Sequence, residues 1–268
     1  MTNAMQIYPE QGIEAALGAL RAARTVVCDI DGVLLMDGGP IEGAGEFLMR
    51  HRCVFVSNNS THTAATLSAL FNRIGLASRP QQFFLAGEAA VEYLHDYHAG
   101  APVLVLASDD VARLAHRRLL VCEDPVQAAG EAEWVLVCRD RTITFEKIEA
   151  AANAIRRGAR AVVSNLDMTH PAGAGAVHTE TGALWQALRM QLDDTAESVV
   201  IGKPCPELLL RAQERLGLLP QELVFLGDNL LTDAPAAAQA GVPFIHVGAG
   251  GFRLAELVRA EVRREDLF

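Results

Sequence analysis

The stretch Thr25-Val26-Val27-Cys28-Asp29-Ile30-Asp31-Gly32-Val33 constrains this chain more than any other. Its first four residues, small or β-branched, read as a buried strand, and they run directly into two carboxylates spaced two apart. A glycine follows at once. A carboxylate inside an apolar core costs several kcal/mol unless something positive answers it. At the C-terminal end of a parallel strand the same pair reaches the crevice where open α/β sheets bind ligands. The stretch therefore asks for a parallel sheet and for a positive charge elsewhere in the chain.

A length of 268 residues suits one large α/β domain, or a core with a moderate second domain. Half the residues are hydrophobic and 21% are charged, which argues against disorder and a coiled coil. No apolar stretch reaches membrane-spanning length and the N-terminus has no basic segment before an apolar one, so the expectation is a cytoplasmic protein with no membrane partner. A net charge of -10 without a basic block argues against a nucleic-acid polymer as partner, yet leaves room for small phosphorylated ligands at a locally positive site. Cys28, Cys53, Cys122, Cys138 and Cys205 have no metal-knot or redox-pair spacing and read as buried free thiols.

Along the chain, helix-like and strand-like stretches alternate. Ile13 to Ala23 reads as a helix, Thr25 to Cys28 as a strand, Gly38-Gly39-Pro40 as a loop, and Cys53 to Val56 as a second buried strand that runs into Ser57-Asn58-Asn59-Ser60. Thr61 or Thr63 can cap the next helix. From about Arg79-Pro80 the rhythm restarts with helices over 88–97, 109–118 and 144–155 and strands over 102–107, 134–138 and 161–163. Pro171 to Gly175 reads as a loop, and Thr181 as the cap of a helix through Leu184, Leu188 and Leu192. Strands at 199–201, 223–226 and 243–247 then alternate with helices at 206–216, 233–240 and 255–264. The fold class this predicts is α/β, a doubly wound parallel sheet (a Rossmann-like core) with a second, smaller α/β domain. The expected boundaries are 1–79 and 182–268 for the core and 80–181 for the insertion.

Asp29 and Asp31, Ser57 and Asn58, Lys203, and Asp228 and Asp233 all follow predicted core strands, so a parallel sheet gathers them at one edge. Several carboxylates together repel unless a divalent cation and a lysine answer them. Oxygen ligands with no histidine or cysteine suit Mg²⁺ better than zinc. A carboxylate nucleophile, a cation, a lysine and a second carboxylate are the parts of phosphoryl transfer through an aspartyl-phosphate.

These four motifs, Asp29-Ile30-Asp31-Gly32-Val33, Ser57-Asn58-Asn59-Ser60, Gly202-Lys203-Pro204 and Gly227-Asp228-Asn229-Leu230-Leu231-Thr232-Asp233, resemble the signatures of the haloacid dehalogenase-like hydrolases, and within them the NagD-like, 4-nitrophenyl phosphatase branch. Pro40-Ile41-Glu42-Gly43-Ala44, Arg139-Asp140 and Thr144-Phe145-Glu146-Lys147 extend the resemblance over nearly the whole chain. It implies that Asp29 attacks phosphorus and that Asp31 serves as acid and then base. It implies further that Ser57, Asn58 and Lys203 hold the phosphoryl group. Mg²⁺ would be bound by Asp228, the Asp29 carboxylate and the Asp31 carbonyl, with Asp233, Asn229 and Gly32 in support. It also implies that the insertion is a cap and that the chain forms a cap-mediated homodimer. A polar or charged residue is more usual where Asn229 and Leu231 stand, which bears on contacts around the metal ligand.

The expected function is a Mg²⁺-dependent phosphatase acting on a small phosphorylated metabolite. The alternatives are a phosphomutase of the same chemistry and a non-catalytic phosphometabolite-binding protein. Dehalogenation has no use for Asp31 and Asp228. Asn165, Asp167 and His170 stand either toward substrate or in a polar hinge, and Trp185 reads as core. His62 and His178 carry no assignment, and Arg117-Arg118 and Arg156-Arg157 read as solvated helix faces.

Overall fold

A computed structural model of the chain describes residues 6–172, 176–193 and 196–265. The chain divides into two compact units, one of Met1–Ser57, Leu67–Phe84 and Lys203–Phe268, the other of Asn58–Thr66 and Leu85–Gly202.

The first unit is built on six strands, Gln6–Ile7 (β1), Thr25–Cys28 (β2), Cys53–Ser57 (β3), Phe83–Leu85 (β4), Leu223–Gly227 (β5) and Phe244–His246 (β6). They lie in the order β1-β6-β5-β2-β3-β4 and are parallel from β1 through β3. Every residue of β2, β3, β5 and β6 is buried, as expected of a parallel sheet covered on both faces. Phe55 on β3 packs its ring against Phe83 at 4.7 Å and Phe71 at 5.3 Å between centroids. The chain leaves β2 toward β3 on one side, while β5 closes the other, so the C-terminal end of β2 is the switch point of the sheet. Asp29 is the next residue.

Past Asp31 the chain makes a small hairpin, Leu35–Met36 against Gly39–Pro40. Asp37 (φ 52°) and Gly38 (φ 76°) both have left-handed backbone, the two-residue turn that matches strand twist. The loop read at Gly38-Gly39-Pro40 is thus the second half of a hairpin, and Asp-Gly is the signal that marks it.

The second unit has its own five-stranded parallel sheet, in the order Ser198–Val200, Arg160–Val163, Trp134–Val137, Pro102–Leu106, Leu120–Val121. Its core joins Val135, Val137, Ala161 and Val163 to Ala151, Ala154 and Ile155 of the helix Phe145–Arg156, and to Trp185 and Leu188 of the helix Thr181–Arg189. Thr144 caps the first of these helices, accepting a hydrogen bond from the Lys147 amide. Trp185 is core, as its sequence context suggests.

Several local expectations need correction. Pro171 and Ala172 lie in the strand Thr169–Ala172, paired antiparallel with Ala176–Thr179; residues 173–175 of the expected loop fall outside the described residues. Thr181 does not cap its helix. It is the first helical residue after Glu180, and its hydroxyl is buried 2.9 Å from Ser60 Oγ. That helix stops at Arg189, so Leu192 packs on the core from beyond its end. Cys28, Cys53 and Cys138 are buried thiols, whereas Cys122 and Cys205 are partly exposed. Cys122 follows the edge strand Leu120–Val121, which has a neighbour on one side only.

Candidate active site

In the first unit, Asp29 follows β2, Ser57 ends β3 and Asp228 follows β5. Asp233 opens the helix Asp233–Ala240. Lys203 is buried among them. Its ammonium lies 2.7 Å from Asp29 Oδ1 and 2.6 Å from Asp233 Oδ1, and both carboxylates are buried too. The Val56 carbonyl at 3.5 Å and the Phe225 ring at 5.6 Å also lie beside it. Breaking such a buried pair is costly, since either charge left alone has no solvent to answer it.

The carboxylates outnumber the ammonium. One oxygen from each of Asp29, Asp228 and Asp233 lies within 4.8 Å of the other two. Burial pushes the Asp29 carboxyl well above its ordinary range; Lys203 opposes this, and Asp233 and Asp228 reinforce it. Asp228 is pushed up to about 6, chiefly by burial, then by Asp233, with Lys203 opposing and Asp31 adding a little. Burial alone would lower Lys203, but Asp233 and Asp29 outweigh it and hold the ammonium firmly protonated. A cluster short of positive charge, made only of oxygen donors, is able to coordinate a divalent metal.

Glycines make this crowding feasible. Gly32 has a left-handed backbone (φ 82°), and a Cβ there would overlap the Asp228 carboxylate. A Cβ on Gly227 would collide with Asp233. Asp233 does not act as an N-cap, which is Thr232; its Oδ2 accepts the Asn229 amide at 3.0 Å. Asn229 Oδ1 in turn accepts the Leu231 amide at 2.9 Å, so this side chain shapes the loop, while Leu231 is 83% exposed.

Residues 26–118 match the sequence profile described as haloacid dehalogenase-like hydrolase, and residues 200–268 match one described as HAD-hydrolase-like. Together the two profiles take in more than half of the chain and all of the residues just described.

The chain belongs to the haloacid dehalogenase-like hydrolases.

Within that superfamily it falls in the NagD and 4-nitrophenylphosphatase branch, and it is a hydrolase of the phosphatase type. A dihydroxyacetone phosphatase of Corynebacterium glutamicum is 29% identical over 240 residues, covering 88% of this chain and 84% of its own. A glycerol phosphate phosphatase of Mycobacterium tuberculosis, solved with magnesium, superposes with a TM-score of 0.77 at 26% identity, over 88% of this chain and 71% of that one. A 4-nitrophenylphosphatase of Thermotoga maritima shares the fold, with a TM-score of 0.79 at 20% identity over 90% and 98% of the two chains.

The other residues singled out in the sequence are placed as follows. Asp31 has an exposed side chain, stands outside the carboxylate trio and pairs by its backbone with Leu35. Asn58 belongs to the second unit, where its Nδ2 donates to Asp167 Oδ2 at 2.9 Å and its carbonyl accepts from Asn165 at 2.8 Å. His170 pairs with Glu180 at 2.5 Å, and Arg139 lies 3.3 Å from the same carboxylate. His178 stacks near His170, and His62 meets Asn59. One neighbour was not foreseen: His246, buried at the end of β6, has Nε2 3.3 Å from the Asp228 carbonyl. Its position at the end of a strand beside β5 is the signal that could have found it. No helix among the described residues is long and apolar enough to cross a membrane.

Proposed function

We propose that this chain is a Mg²⁺-dependent phosphomonoesterase that transfers the phosphoryl group of a small polyol or triose phosphate to Asp29 and then hydrolyses the aspartyl-phosphate. The observation that carries this reading is the buried Lys203 ammonium shared between Asp29 and Asp233, with Asp228 alongside. Asp29 is held by the Leu226 carbonyl, which accepts its amide at 2.8 Å, so the carboxylate sits on rigid sheet and not on a mobile loop.

Asp29 attacks phosphorus, and Asp31, exposed at the same strand end, protonates the departing alkoxide. Asp31 then takes a proton from the water that attacks the aspartyl-phosphate, releasing phosphate and restoring the Asp29 carboxylate. Lys203 offsets the charge that builds on the transferring oxygens, and the Ser57 hydroxyl hydrogen-bonds to them. Asp228, the Asp29 carboxylate and the Asp31 carbonyl would hold Mg²⁺, with Asp233 behind them. When bound, the ion supplies Lewis-acid polarisation of a phosphoryl oxygen and neutralises part of the carboxylate charge. Its all-oxygen donor set fits Mg²⁺ better than zinc.

The substrate class rests on relatives named dihydroxyacetone phosphatase, acid sugar phosphatase and glycerol phosphate phosphatase. The test is phosphate release from a panel of triose, glycerol, sugar and nucleotide monophosphates, with and without Mg²⁺. Magnesium-dependent release with the highest kcat/KM on a three-carbon phosphate supports the reading. No release from any monoester, or release that is indifferent to Mg²⁺ and EDTA, overturns it.

A further inference from the structure

On the first unit a groove of about 550 Å³ opens at the N-terminal ends of β3 and β4. The catalytic carboxylates and Ser57 stand at the opposite strand ends, so the length of β3, ~13 Å at ~3.3 Å per residue, separates the groove from Ser57. Arg52, Arg79 and Arg215 line it, over a floor that includes Val54 and Leu216, and no acidic residue lines it. In a chain with a net charge of -10 this is an unusual grouping. Arg24, Arg50, Arg113, Arg139, Arg160 and Arg211 each have a carboxylate partner, whereas none of the three groove arginines has one among the described residues.

The groove is also pre-organised. Gln82 accepts the Arg79 amide at 2.7 Å and donates to the Cys53 carbonyl at 2.8 Å, tying the Arg79 turn to β3. The Arg215 guanidinium is held 4.4 Å over the Phe84 ring. Like charges gathered without counter-charges raise one another's energy, and an anion of several charges relieves it. Guanidinium forks suit phosphate oxygens, and three of them match a polyphosphate better than a single phosphate. The volume exceeds what inorganic phosphate fills and lies in the range of small-molecule sites, with Val54 and Leu216 to receive an apolar portion.

We propose that this groove binds a small organic polyphosphate of nucleoside di- or triphosphate size, with Arg52, Arg79 and Arg215 on its phosphates. The site is independent of the phosphatase reading. It is tested by calorimetric titration of ATP into the full chain in EDTA, in both the native protein and an Asp29→Asn background that cannot turn it over. The expected result is saturable binding, equal in the two backgrounds, that weakens as NaCl rises. Arg79→Gln and, separately, Arg215→Gln each weaken it about tenfold or more, with the unfolding temperature of Arg79→Gln unchanged. Adenosine does not bind, and pyrophosphate competes. Absence of binding at millimolar ATP, undiminished binding in both arginine variants, or equal binding of adenosine overturns the proposal.

Discussion

Replacing Asp228 by Asn stabilises the metal-free protein and abolishes its response to magnesium. The carboxyl is pushed from an ordinary value of 3.8 to about 6, mainly by burial and by Asp233. The folded state therefore binds the proton more tightly than the unfolded state. Between those two values stability falls as pH rises, and above about 6 the whole cost is present. A shift of roughly two units at ~1.4 kcal/mol each gives an upper bound of ~3 kcal/mol. Asp228 is partly exposed, and solvent screening reduces that to about 1–2 kcal/mol. Asn keeps the shape and removes the charge, so Tm in EDTA at pH 7.5 rises by about 3–6 °C, and the gain shrinks as pH is lowered toward 5. Magnesium at a hundred times its Kd should stabilise the native protein by ~2.7 kcal/mol and leave the variant unmoved. Differential scanning fluorimetry with EDTA and Mg²⁺ across pH 5 to 8 reads both effects. An Asp228→Asn variant less stable than native in EDTA, or one that magnesium stabilises equally, would rule out this origin for the strain in the cluster.

Two further outcomes follow from the same geometry. Lys203→Met leaves Asp29 and Asp233 buried without their ammonium, so urea denaturation at pH 7.5 should show a loss of about 3 kcal/mol. The loss should diminish at lower pH, where the Asp29 carboxyl, held above its ordinary range by burial, protonates; equal losses at pH 5 and 7.5 would contradict it. Gly32→Ala drives a methyl into the Asp228 carboxylate from a left-handed backbone, costing about 1–3 kcal/mol and more than tenfold in kcat. Native activity in that variant would mean that Asp228 does not need its present position.

The parts of the fold with strong pattern were legible in the sequence. β2, β3 and β5 are short, almost wholly apolar runs, and the helix Asp233–Ala240 occupies the span its alanines suggest. The site was legible for a related reason: a polar residue directly after an apolar strand has few structural uses. What was not legible depended on neighbours. Gln6–Ile7, Phe83–Leu85 and Leu120–Val121 are too short to carry a period, and only an adjacent strand makes them sheet. Val199-Val200-Ile201 reads as a strand in any sheet, but its partner Arg160–Val163 is chosen by tertiary register. In sequence Asp233 reads as a metal support; its ion pair with Lys203, thirty positions away, is a three-dimensional fact. The Arg52, Arg79 and Arg215 grouping is equally invisible in one dimension.

If Asp29 carries the phosphoryl group during turnover, the covalent intermediate can be trapped on it. Native protein mixed briefly with radiolabelled substrate and Mg²⁺, then quenched in acid and digested, should carry hydroxylamine-sensitive label on the peptide containing Asp29. Asp29→Asn should carry no label and release no phosphate, with its circular dichroism unchanged. Unlabelled native protein under turnover, or native turnover by the Asp29→Asn variant, would contradict it.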